Sequence, residues 1–255
     1  MEQIGETLKK IKLPGKPTST PGAGPVSNEL PDCPICHGFG WVCPLVDGRV
    51  DYSRTVRCKC KAESDQKERL ARMWKYCRLP DGENTKTLDD FETRGNKTLE
   101  QALLAARQLL SGDGVIFWTL ISDSNRGKSH LAKAICLEKM RQGTPARYGF
   151  VPDFLGELKD GFDQEGEDSF RYRLAALMDV PLLVLDDLGT ENMTSWGIET
   201  IQRIINHRYE HKLLLVVTTN RALDEICGKR NDVERLASMR LESRLKREPW
   251  CRVIY

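Results

Sequence analysis

The 255-residue chain has no apolar run near the roughly 20 residues that a membrane span requires, which excludes an ordinary transmembrane helix. Its first residues lack an apolar stretch closed by a small-residue cleavage site, which argues against a secretory leader and for a cytoplasmic location. Net charge is scarce: 39 Lys and Arg against 37 Asp and Glu leave a formal +2, too little to mark a nucleic-acid binder by its sum. No internal repeat is visible. What the chain does carry is unevenly spread. Cations gather from Arg54 to Lys75 and from Lys229 to Arg252, each stretch reading first as a solvated helix face. Five of the nine cysteines lie between Cys33 and Cys60, and such clustering in a cytoplasmic chain points to metal rather than to disulfides.

The length suits one α/β domain with a smaller appendage. Residues 1–12 read as a short helix, and residues 13–31 carry five prolines and three glycines among Ser and Thr, a linker composition. Residues 32–62 show little periodicity around their cysteines, and the helix-prone stretch Glu63 to Tyr76 leads to a loop around Pro80–Gly82. The predicted division is a flexible segment over 1–31, a metal-binding module with its connecting helix over 32–78, and an α/β domain over 79–255. In that domain helical periodicity marks Thr98–Leu110, Lys128–Arg141, Asp153–Phe162 and Ser195–Glu210. Strand-like runs cover Val115–Ile121, Arg147–Val151, Leu182–Leu185, Leu213–Thr218 and Cys251–Ile254. This alternation predicts a parallel sheet covered by helices, a three-layer αβα sandwich.

The first strand-like run opens into Ser122-Asp123-Ser124-Asn125-Arg126-Gly127-Lys128-Ser129, and His130 begins the helix proper. Strand, tight loop, Gly-Lys-Ser and helix is the context a phosphate-binding loop needs. Gly127 lets backbone N–H groups turn onto phosphate, Lys128 reaches the β- and γ-oxygens, and the Ser129 hydroxyl suits Mg²⁺. The cradle so read is Ser122, Asn125, Arg126, Gly127, Lys128, Ser129 and His130. It departs from the usual pattern at Ser122, where glycine is expected, and at Asn125, although Asn tolerates the left-handed turn best among non-glycine residues. Downstream, Leu182 to Leu185 is an apolar strand ending in Asp186 and Asp187, the Walker B arrangement. Asp186 then joins Ser129 as a Mg²⁺ ligand, and Asp187 serves as general base; the plainer alternative is that the pair caps the turn at Gly189. Another strand ends in Thr218-Thr219-Asn220, which puts Asn220 where it can orient the water.

Cys33-x-x-Cys36 and Cys58-x-Cys60, with 21 residues between, supply four thiolates for a closed tetrahedral Zn²⁺ site. His37 and Cys43 remain alternatives for one ligand. A redox dithiol competes, but no thioredoxin-like βαβ pattern surrounds the first pair.

The stretches Gly127–Ala132, Leu185–Gly189, Ile204–Glu210 and Thr218–Asn220 together resemble the DnaC/DnaI/IstB group of AAA+ proteins over about residues 79–255. The resemblance implies a P-loop AAA+ domain without a helical lid, ATP as ligand, self-association, and an arginine reaching a neighbouring subunit's site. Arg244 is its candidate here and Arg240 the second choice; both also fit an exposed helix. For the cysteine module the resemblance is to DnaI-like and phage-type loaders, and it implies contact with a replicative helicase of the DnaB type. It further implies single-stranded DNA as a partner near Thr194 and Trp196, where core packing is the competing explanation for the tryptophan. The function so implied is ATP-driven loading of a hexameric helicase, slowed by the altered loop. An IstB-type transposition ATPase and a nucleotide-binding adaptor with little hydrolysis are the other two readings.

Overall fold

The computed structural model describes residues 33–79, 87–112, 114–189, 194–227, 232–247 and 249–254. The helix and linker read over 1–31 and the loop around Pro80–Gly82 lie outside the described residues. Two compact units divide between Asp65 and Gln66.

In the first unit a knuckle follows Cys33, with His37 N–H donating to the Cys33 carbonyl at 2.7 Å and Phe39 N–H to that of Cys36 at 2.9 Å. Four two-residue strands come next: β1 (Trp41–Val42), β2 (Leu45–Val46), β3 (Arg49–Val50) and β4 (Val56–Arg57). β1 pairs with β4 and β2 with β3, both antiparallel. Asp47 and Gly48 turn the β2–β3 hairpin with both φ angles positive, 50° and 77°, as a two-residue turn that follows strand twist requires. The sequence reading missed these strands because two residues are too short to alternate visibly. Cys33, Cys36 and Cys58 form the small core, with Val42 and Cys60 against it.

Helix α1 (Lys59–Cys77) crosses the division, and Met73 and Cys77 near its end are buried in the second unit's core. The second unit continues with α2 (Lys97–Ser111), β5 (Phe117–Ile121), α3 (Lys128–Arg141), β6 (Ala146–Phe150), α4 (Val151–Lys159), α5 (Phe170–Asp179), β7 (Leu182–Asp186), α6 (Ser195–Glu210), β8 (Leu214–Thr219), α7 (Asp232–Leu245) and β9 (Cys251–Ile254). The sheet is parallel, in the order β6-β7-β8-β5-β9. Its two faces belong to two apolar clusters. One holds Leu131, Ile135 and Ala106 from α3 and α2, and the other Phe154, Leu174, Ile201 and Leu241 from α4 to α7. This is the three-layer αβα arrangement that the alternation of runs predicts. Among the described residues no helix is long and apolar enough to cross a membrane.

Local signals fix the ends. Asn96 Oδ1 accepts from the N–H groups of Thr98 and Leu99, and Gly112 closes α2 at φ 85°. α4 starts at Val151, two residues before the expected Asp153, because Pro152 suits a first helical turn; it ends at Lys159, short of Phe162. α5, capped by the Ser169 hydroxyl, was not separable by period from the charged stretch around it.

Candidate nucleotide and metal sites

Period-two alternation decides which strand residues meet α3. Leu182 and Val184 of β7, Val216 of β8 and Tyr148 of β6 face its cluster, so Asp186 and Thr218, two residues further on, emerge on the same side at the carboxyl ends of the strands. β5 delivers the loop there too. Asn125 takes φ 63°, the left-handed conformation expected there, and Gly127 takes φ 86°. A Cβ on Gly127 would stand 2.7 Å from Phe91 Cε2, so this glycine is required by space as well as by conformation.

Lys128 Nζ donates to the carbonyls of Ser122 and Asp123, each at 2.8 Å. Burial pulls its ammonium below the ordinary value, opposed by the charges of Asp187, Asp186 and Asp123. Ser129 Oγ donates to Asp186 Oδ1 at 3.0 Å, and Thr218 Oγ1 donates to the same oxygen. Tyr148 donates its hydroxyl to Asp186 Oδ2 at 2.5 Å. Asp187 sits at φ 60°; its N–H donates to Thr218 Oγ1 at 2.9 Å and its Oδ1 accepts from Asn220 Nδ2 at 3.0 Å. A hydrogen-bonded line thus joins loop, Asp186, Asp187 and Asn220. His130 lies to one side, Nε2 at 3.3 Å from the Thr87 carbonyl and its ring edge-on to Phe91. A cavity of about 490 Å³ adjoins the loop, lined by Ser122, Arg126, Lys128 and Asn220 with apolar walls from Leu99 and Ile254.

Asp186 is fully buried and accepts hydrogen bonds from three hydroxyls, those of Ser129, Thr218 and Tyr148. A carboxylate withdrawn from water needs compensating charge, and hard oxygens from Ser129 and Asp186 beside a cationic lysine suit Mg²⁺ with phosphate. The bonds of Thr218, named in sequence only as part of its motif, and of Tyr148 to Asp186 are not legible in the sequence; only strand alternation and the eventual strand order could have found them.

Cys33, Cys36, Cys58 and Cys60 gather their four sulfurs within 4.8 Å of one another. Cys33 Sγ lies 3.8 Å from Cys58 Sγ, close to the edge of about 3.8 Å that Zn–S bonds of about 2.3 Å give a tetrahedron. N–H donors at Cys36 and Ile35 lower the Cys33 thiol to about 6, while its bond to Cys36 and burial raise Cys60 to about 12. Crowded thiols that cannot all ionise unaided are a donor set that fits a soft dication. Among the described residues this group includes neither His37 nor Cys43.

Arg244 Nε donates to Asn206 Oδ1 at 3.1 Å, and its guanidinium lies 5.0 Å from the centre of the Tyr209 ring; Arg240 is exposed. Thr194 caps α6, its Oγ1 accepting from Gly197 N–H at 3.2 Å. Half-buried Trp196 packs near Phe162 and Phe170, with Lys159 Nζ 5.3 Å from its ring centre. Its ring therefore has a packing role in this chain.

The family described as IstB-like ATP binding protein matches residues 50–244. The replicative helicase loader DnaI of Bacillus subtilis is 29% identical over 125 residues, 47% of this chain and 39% of that protein. DnaC of Escherichia coli strain K12, also a replicative helicase loader, is 32% identical over 127 residues, 49% of this chain and 51% of that protein. The matches thus span about half or less of these relatives' length. A crystal structure of DnaI superposes with a TM-score of 0.59 at 20% identity, over 69% of this chain and 94% of that one, a likeness of fold.

Proposed function

The chain belongs to the IstB-like family of AAA+ ATP-binding proteins, and from that membership we propose that it hydrolyses ATP to load a hexameric replicative helicase onto single-stranded DNA. The observation that carries the hydrolytic part is the line from Ser129 through Asp186 and Thr218 to Asp187 and Asn220. The likeness to two helicase loaders carries the rest.

In this reading Lys128 leaves the carbonyls of Ser122 and Asp123 for the β- and γ-phosphate oxygens, while the N–H groups at the start of α3 face the phosphates. Asp187 Oδ1, oriented by Asn220 Nδ2, accepts the proton of the attacking water. Magnesium, held by Ser129 Oγ and Asp186, would neutralise charge on the β- and γ-phosphates. Zinc on the four cysteines would have a folding role. Arg244, which would leave Asn206 and the Tyr209 ring to do so, is the first candidate to reach a neighbouring subunit, and exposed Arg240 is the second. Thr194, exposed at the start of α6, and the aromatic group around Trp196 form the stretch proposed to meet single-stranded DNA. The cytoplasm is the compartment such work requires.

Two variants test the chemistry. Lys128→Ala should abolish Mg²⁺-dependent nucleotide binding, and Asp187→Asn should retain binding and lose hydrolysis. If Lys128→Ala binds as tightly as the unaltered chain, the phosphate-loop assignment is wrong; absent turnover in the unaltered chain would leave the adaptor reading. A pull-down offering a replicative helicase and a transposase tests the partner. Because the family carries the IstB name, capture of the transposase alone would move the function to transposition.

A further inference from the structure

We infer that Cys77 and Cys136 are a peroxide-sensitive thiol pair that closes to a disulfide and so fixes the end of α1 to α3. Neither the nucleotide site nor the four-cysteine set includes them.

Cys77 is the last residue of α1, and Cys136 lies within α3, the helix that begins at the phosphate loop. Their sulfurs stand 3.3 Å apart, against about 2.05 Å in a formed disulfide, so a small side-chain rotation brings them together. Both are fully buried in the apolar cluster beneath α3. Outside the four-cysteine set, this is the one sulfur–sulfur contact among the described residues. The two thiols are also unlike. A bond from the Cys136 thiol holds Cys77 below the ordinary thiol value against the effect of burial, helped by the N–H groups of Leu79 and Tyr148 and by the Arg147 charge. The same bond, together with burial, raises Cys136. Cys227 and Cys251 are buried without a sulfur neighbour, and burial pushes both thiols up to about 11.

A thiolate beside a resolving thiol is the arrangement that reacts with peroxide, and disulfides formed in reducing compartments are mostly transient or redox-sensing. Burial restricts the oxidant to a small one, and hydrogen peroxide is little larger than water. Cys77 Sγ attacks one peroxide oxygen, the O–O bond breaks, and hydroxide leaves with a sulfenic acid remaining on Cys77. The Cys136 sulfur then attacks that sulfur, the S–O bond breaks, and the thiol proton departs with the hydroxide as water. Two thiols lose a pair of electrons, and one peroxide is reduced to water. The closed loop contains α2, β5 and the whole phosphate-binding segment, so its closure restricts the unfolded chain and should stabilise the second unit.

The full chain, kept in zinc, is treated with hydrogen peroxide, its remaining thiols are alkylated, and the peptides are mapped without reduction. A peptide pair joined through Cys77 and Cys136 is expected, released by dithiothreitol, with a melting temperature that rises by about 5 °C or more on oxidation and returns on reduction. Cys136→Ala should lose the joined pair and leave on Cys77 a sulfenic acid that dimedone captures, whereas Cys227→Ala should form the pair as before. Should Cys136→Ala not fold, the map of the unaltered chain still decides. Cys77 and Cys136 both recovered as alkylated thiols, or joined only in denaturant, overturn the proposal. A joined pair with no rise in melting temperature overturns the fixing of α1.

Discussion

Gly127 has to satisfy two demands at once: φ of 86° and a Phe91 ring where a methyl group would stand. Alanine there costs about 1–2 kcal/mol for the left-handed conformation alone, before the contact with Phe91 is relieved. Gly127→Ala should therefore lower the melting temperature and weaken nucleotide binding together, and adding Phe91→Leu should recover only the part due to the clash. Full recovery in the double variant would show that conformation has no share. Asn125 takes the same left-handed region without glycine, which its side chain permits and which its identity alone suggested. The legible residues were those whose chemistry is written in consecutive letters, Asn125 to Ser129 and Asp186-Asp187. Thr218 and Tyr148 act on Asp186 from 32 and 38 residues away, and nothing local in either names its partner.

Elements are held in register by a residue whose motif was read only as a mark of kinship. Arg208, in the last turn of α6, is fully buried and donates to the carbonyls of Leu177, Met178, Pro181 and Leu214. It thereby ties the end of α5 to the starts of β7 and β8, both of which carry site residues at their other ends. Arg208→Met would remove all of these donors, though the Pro181 carbonyl keeps the Leu214 N–H; at about 1–3 kcal/mol for each buried acceptor left unpaired, a loss of roughly 3 kcal/mol or more is expected by denaturant unfolding. Arg208→Lys should rescue little, because one compact ammonium cannot reproduce a planar fork of donors. A loss below about 0.5 kcal/mol, the range of ordinary surface changes, would deny the role. The sequence pattern foretold the long elements well, since α3 and α6 occupy the predicted spans and β9 its four residues. It was silent on the first unit's strands, where two residues give no period to read.

At the scale of the molecule, two units are ordered by different physics. The second buries two broad apolar clusters on either side of its sheet, whereas the first has three buried cysteines as its core and leaves Phe39, Leu45 and Tyr52 exposed. Such a small core contributes little, so metal binding should supply much of the folding free energy of that unit. Purified full-length chain should contain one Zn²⁺, and chelation should change the circular dichroism spectrum while nucleotide binding by the second unit persists. Substoichiometric zinc with a spectrum unchanged by chelator would sink the assignment.

The sheet order also bears on the timing of synthesis. β9, from the last residues described, lies beside β5, the strand that carries the phosphate loop. While the chain leaves the ribosome, β5 therefore waits for partners made much later, β8 on one edge and β9 on the other, and its second flank closes only once β9 has emerged. The strand that carries the phosphate loop thus stays unclosed on that side until β9 has been made, and a message cut short before Cys251 would yield a chain whose open β5 edge invites pairing with other chains.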